Sequence, residues 1–242
     1  MLDEYVAVDL EMTGLHPKTD RILEVGAVKI KNHVCVAQYQ SFVNPHRKLT
    51  DRIIELTGIR DEMVADAPED SVVLQELIDF TGELPLVGHN IMFDYSFLKQ
   101  CAANAGICYE KSAVDTLKIA RKCCSDLPSR KLEDLCRHFR ISETQEHRAL
   151  ADAKMTALLL ERFWQELGGA QPELFVPKQL QYKAKKQVPA TPAQKRDLIE
   201  LISYHKISFD TDVESLTKSE ASRMIDKIYA AYGRGHVKKE RI

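Results

Sequence analysis

The segment Tyr5 to Leu10, YVAVDL, constrains the fold of this chain more than any other stretch. It is short, rich in β-branched residues and nearly all apolar. A strand of that kind belongs in the middle of a sheet whose two faces are both covered. RILEVGAVKI, Arg21 to Ile30, alternates in part and reads as a second strand, and Val34 to Val43 as a third. Asn32-His33 is the tight turn between them. Two long neighbours after a short first strand suggest an antiparallel meander.

The periodicity then changes. Asp51 onward, DRIIELTGI, predicts a short helix ended near Gly58, and Pro68 to Phe80 has helical spacing. Leu84 to Gly88 is a short buried strand. Phe93 to Ala105, Val114 to Cys123 and Lys131 to Phe139 read as helices. His147 to Leu167 reads as a long helix closed by Gly168-Gly169. Strands, helices, a strand and more helices predict an α/β domain over residues 1–170, a mixed sheet flanked by helices. Residues 171–190 hold Pro172, Pro177 and Pro189 among Lys and Gln, a linker composition. Residues 191–242 predict a small helical module. Thr191 caps its first helix, from Pro192 to Tyr204, and Thr217 with Glu220 has capping-box spacing for the second.

Composition excludes some classes. The six cysteines form no C-x-x-C pair, and no apolar stretch approaches 18 residues. A membrane or secreted protein is therefore not expected, and a cytoplasmic setting is. The net charge of −2 hides an asymmetry, because residues 171–242 carry 14 Lys and Arg against 9 Asp and Glu. A basic tail suits phosphate contact, and it equally suits a solvated surface.

Four carboxylates stand out by placement. Asp9 and Glu11 end the first strand, and residues i and i+2 point to one side of a strand. Asp94 lies just past the short strand at Leu84 to Gly88, and Asp152 lies five residues after His147. Each alone has a bland reading: a solvated strand end, a helix cap, a surface acid, an ordinary histidine. Together, carboxylates at apolar strand ends repel one another unless cations lie between them. Two divalent ions shared by the four acids would answer that, activating water and steadying the leaving oxygen in phosphoryl transfer.

These segments resemble the motifs of the DEDDh-type 3′–5′ exonucleases, the group of the proofreading subunits and domains of bacterial replicative polymerases. VAVDLEMTGL resembles the first motif, LVGHNIMFDYSFL the second and HRALADAKMTALLL the third, in order, over residues 1 to about 168. The resemblance implies a ribonuclease-H-like fold with a five-stranded mixed sheet. It implies Asp9, Glu11, Asp94 and Asp152 as ligands to two Mg²⁺ or Mn²⁺ ions, and His147 as the base. It also implies a nucleotide pocket built from Met12, Thr13, Gly14 and Leu15, from Leu56, Gly58 and Ile59, and from His89, Asn90, Phe93 and Phe97. For Phe97, plain core packing is an equal reading.

The implied activity is release of nucleoside 5′-monophosphates from a DNA 3′ end, single-stranded or frayed, in proofreading or repair. RNA 3′-end trimming is the second reading. A DNA polymerase or another replication or repair protein is the implied partner. A non-catalytic docking subunit is a third reading, and the presence of all five site residues argues against it.

Overall fold

The computed structural model describes residues 2–141 and 148–233 of the 242-residue chain. They divide into two units: residues up to Pro45 with Leu49–Lys185, and His46–Lys48 with the residues from Lys186 on.

The first unit opens with strands β1 (Glu4–Met12), β2 (Ile22–Lys31) and β3 (Val34–Phe42). Helices α1 (Asp51–Thr57), α2 (Asp61–Val64) and α3 (Asp70–Thr81) follow, then β4 (Leu86–Gly88) and α4 (Ile91–Ala105). Next come β5 (Ser112–Asp115), α5 (Thr116–Cys123), α6 (Leu132–His138), α7 (Ala149–Leu167) and β6 (Lys178–Gln179). The sheet order is β3-β2-β1-β4-β5-β6. Pairing is antiparallel from β1 to β2 and from β2 to β3, parallel from β1 to β4 and from β4 to β5, and antiparallel again at β6.

The opening segment behaves as its composition demands. Tyr5, Val6, Ala7 and Val8 have no exposed surface. Even-numbered Val6, Val8 and Leu10 pack with α3 and α4 through Leu74, Leu77, Tyr95 and Leu98. Odd-numbered Tyr5 and Ala7 pack with α5, α6 and α7 through Ile119, Leu135, Leu160 and Phe163. The central strand thus serves two cores, one per face, and the odd face that continues to Asp9 and Glu11 is the one covered by α7. The meander closes as expected, with Asn32 and His33 both at positive φ, the conformation that a two-residue hairpin turn with right-handed strand twist requires.

Three expectations need correction. The helix predicted from Val114 begins only at Thr116. Residues 112–115 form β5, and Asp115 caps α5 by accepting from the Leu117 and Lys118 backbone N–H groups. The sheet accordingly has a sixth strand beyond the five implied. That strand, β6, lies in the stretch read as a linker, 171–190, of which the residues up to Lys185 belong to the first unit. Phe175 is buried against Trp164, and the Leu180 N–H donates to the Lys111 carbonyl. Apolar residues between the prolines, Phe175 and Leu180, override the linker composition by finding a core.

The second unit contains α8 (Pro192–His205) and α9 (Lys218–Tyr232). Both begin with a capping box, Thr191 with Gln194 and Thr217 with Glu220. Its core is small: Leu198, Leu201, Leu216, Ala221 and Ile228. Among the described residues no helix is long and apolar enough to cross a membrane.

Candidate active site

The end of β1 where Asp9 and Glu11 lie is reached from both sides of the sheet. On the β2 side, Asp9 is opposite Gly26 and Glu11 opposite Glu24. Gly26 has a physical reason to lack a side chain. A Cβ there would lie 2.1 Å from the Ala149 carbonyl carbon and the Leu150 nitrogen, so the first turn of α7 rests directly on the strand backbone. Ala149 and Ala153, one turn apart on α7 and fully buried, keep that approach short. The close packing carries Asp152 to the strand end. One carboxylate oxygen from each of Asp9, Glu11 and Asp152 lies within 4.8 Å of the others.

Asp94 arrives from the other layer. Asn90, in the left-handed conformation at φ 73°, begins α4, and Asp94 lies buried in its first turn. The helix dipole there favours an acid. The Leu10 backbone N–H donates to Asp94 Oδ1 at 3.2 Å, which ties the carboxylate to the strand between Asp9 and Glu11. The bland reading of Asp94 as a helix cap does not hold, since Asn90 occupies the cap position.

The four acids open onto one cleft of about 270 Å³, lined also by Met12, His89, Phe93, Lys131, Leu132 and Glu133. Their protonation reflects the crowding. Burial first, and then the charges of Asp94, Asp152, Glu11 and Glu24, hold the Asp9 carboxyl well above the usual range. Burial, Asp152 and Glu24 push Glu11 up to about 8, with Arg148 opposing. Burial also raises Asp94, against the hydrogen bond from Leu10. Clustered carboxyls that retain protons near neutrality lose that preference when a cation takes the protons' place.

The predicted nucleotide residues divide. Met12, His89 and Phe93 line the cleft. His89 is held on both ring nitrogens, Nδ1 by Thr116 Oγ1 at 2.9 Å and Nε2 by the Arg130 carbonyl at 2.8 Å, and burial lowers its pKa. The ring therefore braces the loop before α6 and is committed on both edges. The Asn90 N–H donates to Asp115 Oδ1, so Asn90 shapes the entry to α4. Thr13 and Gly14 form a tight loop with Asp20 and Arg21. Thr13 N–H donates to the Arg21 carbonyl, Arg21 N–H donates to Thr13 Oγ1, and the Asp20 carboxylate fills the space where a Gly14 Cβ would stand.

Leu15 and Leu56 are exposed at 72 % and 60 %. Gly58, at φ 70°, ends α1. Ile59 and Phe97 do not reach the cleft surface. Ile59 is fully buried beside Leu23, Leu49 and Val64, and Phe97 is buried edge-on against Phe93. Of the two readings of Phe97, core packing is the one observed. His147 lies outside the described residues. Sequence reasoning did not find Lys131 and Glu133 in the cleft wall. A Lys-Leu-Glu run at a helix start carries no signal of its own.

Residues 6–160 match the profile of the family described as Exonuclease. The DNA polymerase III PolC-type of Oceanobacillus iheyensis is 44% identical over 168 residues, 68% of this chain and 12% of the polymerase. That of Bacillus subtilis is 40% identical over 161 residues, covering 65% and 11%. The chain thus spans about one eighth of the length of these relatives. Among solved structures, E. coli exonuclease I in complex with a dT13 oligonucleotide superposes with a TM-score of 0.62 at 18% identity, over 71% of this chain and 42% of that one. The nuclease domain of 3′hExo, a DEDDh family member, bound to rAMP gives a TM-score of 0.62 at 21% identity, over 74% and 98%. At those identities the likeness is one of fold.

Proposed function

This chain belongs to the exonuclease family, and from that premise we propose that it removes nucleotides one at a time from the 3′ end of DNA, with two divalent cations held by Asp9, Glu11, Asp94 and Asp152. The observation that carries the reading is the convergence of Asp9, Glu11 and Asp152 oxygens within 4.8 Å, with Asp94 in the same cleft. The donor set fits the ions: it is all oxygen, as Mg²⁺ and Mn²⁺ prefer, and its carboxyls are destabilised as anions until a cation joins them. When bound, the ions supply positive charge at the scissile phosphate and at the leaving 3′ oxygen.

The protein's own groups do the rest. Asp94 is kept in place by the Leu10 N–H, so the strand and α4 present their carboxylates as one rigid set. Lys131, at the cleft wall, offers a cation to a phosphate of the incoming strand. Leu15, Leu56 and Phe93 offer apolar surface to the terminal sugar and base. His147 takes the proton of the attacking water, a task that suits an imidazole side chain near neutral pH. The product is a nucleoside 5′-monophosphate. The likeness to PolC-type polymerases supports a place in replication proofreading or repair beside a polymerase.

The test compares 3′-labelled DNA and RNA oligomers of equal sequence with Mg²⁺ or Mn²⁺. Mononucleotides should appear from free 3′ ends of DNA faster than of RNA, and EDTA should stop the reaction. Full activity in EDTA, or appreciable cutting of closed circular DNA, overturns the proposal. Faster RNA cleavage would make the enzyme an exoribonuclease.

A further inference from the structure

One buried ion pair fastens the helix that delivers Asp152. Glu24 lies in β2 between Glu11 on one neighbouring strand and Phe42 on the other, and its side chain has no exposed surface. Its carboxylate accepts from Arg148 Nη2 at 2.8 Å, from Arg148 Nε at 3.0 Å and from Gln40 Nε2 at 2.6 Å. The Ala149 backbone N–H, one of the groups that a helix start leaves without an intrahelical partner, donates to it at 3.3 Å. Arg148 occupies the N-cap position of α7, with its guanidinium 5.1 Å from the centroid of the Phe42 ring. Neither Glu24 nor Arg148 lines the cleft.

An isolated charge with Glu24's burial would be costly, so the pair is an obligate one. A planar guanidinium gripping a carboxylate through two nitrogens tolerates little rotation. The Ala149 contact adds a third point. Three attachments at one helix end fix the height, tilt and rotation of its first turn. That turn runs directly into the site, because the Asp152 N–H donates to the Arg148 carbonyl at 3.0 Å.

We infer that Glu24 and Arg148 are positioning residues, which hold the first turn of α7 so that Asp152 meets Asp9 and Glu11 in a geometry able to share cations. The inference rests on the metal-ligand assignment made above. A purely structural role for the pair would alter melting temperature and leave the folded molecules fully active. A positioning role alters the chemistry of molecules that remain folded.

The experiment uses the full chain with Arg148→Ala, Arg148→Lys, Glu24→Gln and Asp152→Ala. Each is measured for single-turnover rate on a 3′-labelled oligomer, for oligomer KM, and for Mn²⁺ affinity by calorimetry without substrate. Arg148→Ala should lose rate and Mn²⁺ affinity by about 10- to 100-fold, as neighbours of metal ligands do, with KM little changed. Added guanidinium ion should restore part of the rate, and equal sodium chloride should not. Arg148→Lys and Glu24→Gln, milder changes, should show the same split between rate and KM even if Arg148→Ala does not fold. Wild-type rate and Mn²⁺ affinity in the folded fraction of all three would overturn the inference, as would the absence of guanidinium rescue in a folded Arg148→Ala. Asp152→Ala separates the two claims. If it keeps its Mn²⁺ affinity, the ligand assignment fails. If it loses that affinity while the Arg148 and Glu24 variants keep theirs, only the positioning role fails.

Discussion

Replacing Gly26 by Ala adds one methyl group at the point where α7 rests on β2. In the present packing that methyl would lie 2.1 Å from the Ala149 carbonyl carbon and the Leu150 nitrogen. Carbon atoms pack comfortably at about 3.5 Å, so strand and helix must separate by about 1.4 Å. The obstructing atoms are backbone, and no side-chain rotation relieves the clash. Overpacking of this size typically costs about 1–3 kcal/mol of stability.

The larger effect falls on the site, because Gly26 is the register partner of Asp9 and the displaced turn leads into Asp152. A misplacement of about 1 Å at a catalytic group can cost about 10²-fold in rate. Gly26→Ala should therefore remain folded below a lowered melting temperature and hydrolyse a 3′-labelled oligomer about 10- to 100-fold more slowly. It should also bind Mn²⁺ more weakly. The assay is single-turnover cleavage at a temperature well below the variant's melting transition, with folding checked there by circular dichroism. A wild-type rate and wild-type melting temperature would refute both the close contact and its link to the site.

Two further outcomes can be measured, one on the carboxylate cluster and one on the proposed base. Glu11 is raised from an ordinary 4.5 to about 8, with Asp9 and Asp94 raised as well. The metal-free folded state therefore holds more protons than the unfolded chain across that window, and its stability should fall as pH rises from about 5 to about 8. Thermal melts in EDTA should show this, with a shallower slope in Glu11→Gln; a melting temperature that rises with pH through that range would contradict it. His147→Ala should lose about 10²–10⁴-fold in rate near neutral pH, the usual cost of a missing general base, and keep its Mn²⁺ affinity. A near-wild-type rate removes His147 from the chemistry, and lost affinity makes it a ligand.

What the sequence revealed about this site was local or carried by motif. Asp9 and Glu11 share a face because a strand repeats every two residues, and YVAVDL could only be a central strand. What it concealed was set by pairing across the sheet. Glu24 and Gly26 look like ordinary members of RILEVGAVKI, and their importance appears only once they are registered against Glu11 and Asp9 and covered by α7. The strand at Ser112–Asp115 was hidden because it runs into α5 without an intervening turn residue, with Asp115 ending one element and capping the next. Ile59 and Phe97 carried a functional expectation from their motifs, yet an apolar side chain beside a cleft is as easily claimed by the core, and here both were.

The ligand set is gathered from distant parts of the chain: Asp9 and Asp152 are 143 residues apart. During synthesis at about 5–20 residues per second, roughly 7–30 s separate the emergence of the first acid from that of the last. By the end of that interval β1 has its partners β2 and β4 but not yet α7 on its odd-numbered face. A nascent chain therefore carries three of the four carboxylates and no complete centre. On the proposed function, hydrolysis can begin only once α7 has left the ribosome and docked, which makes the seating of one helix the switch from inert polypeptide to enzyme.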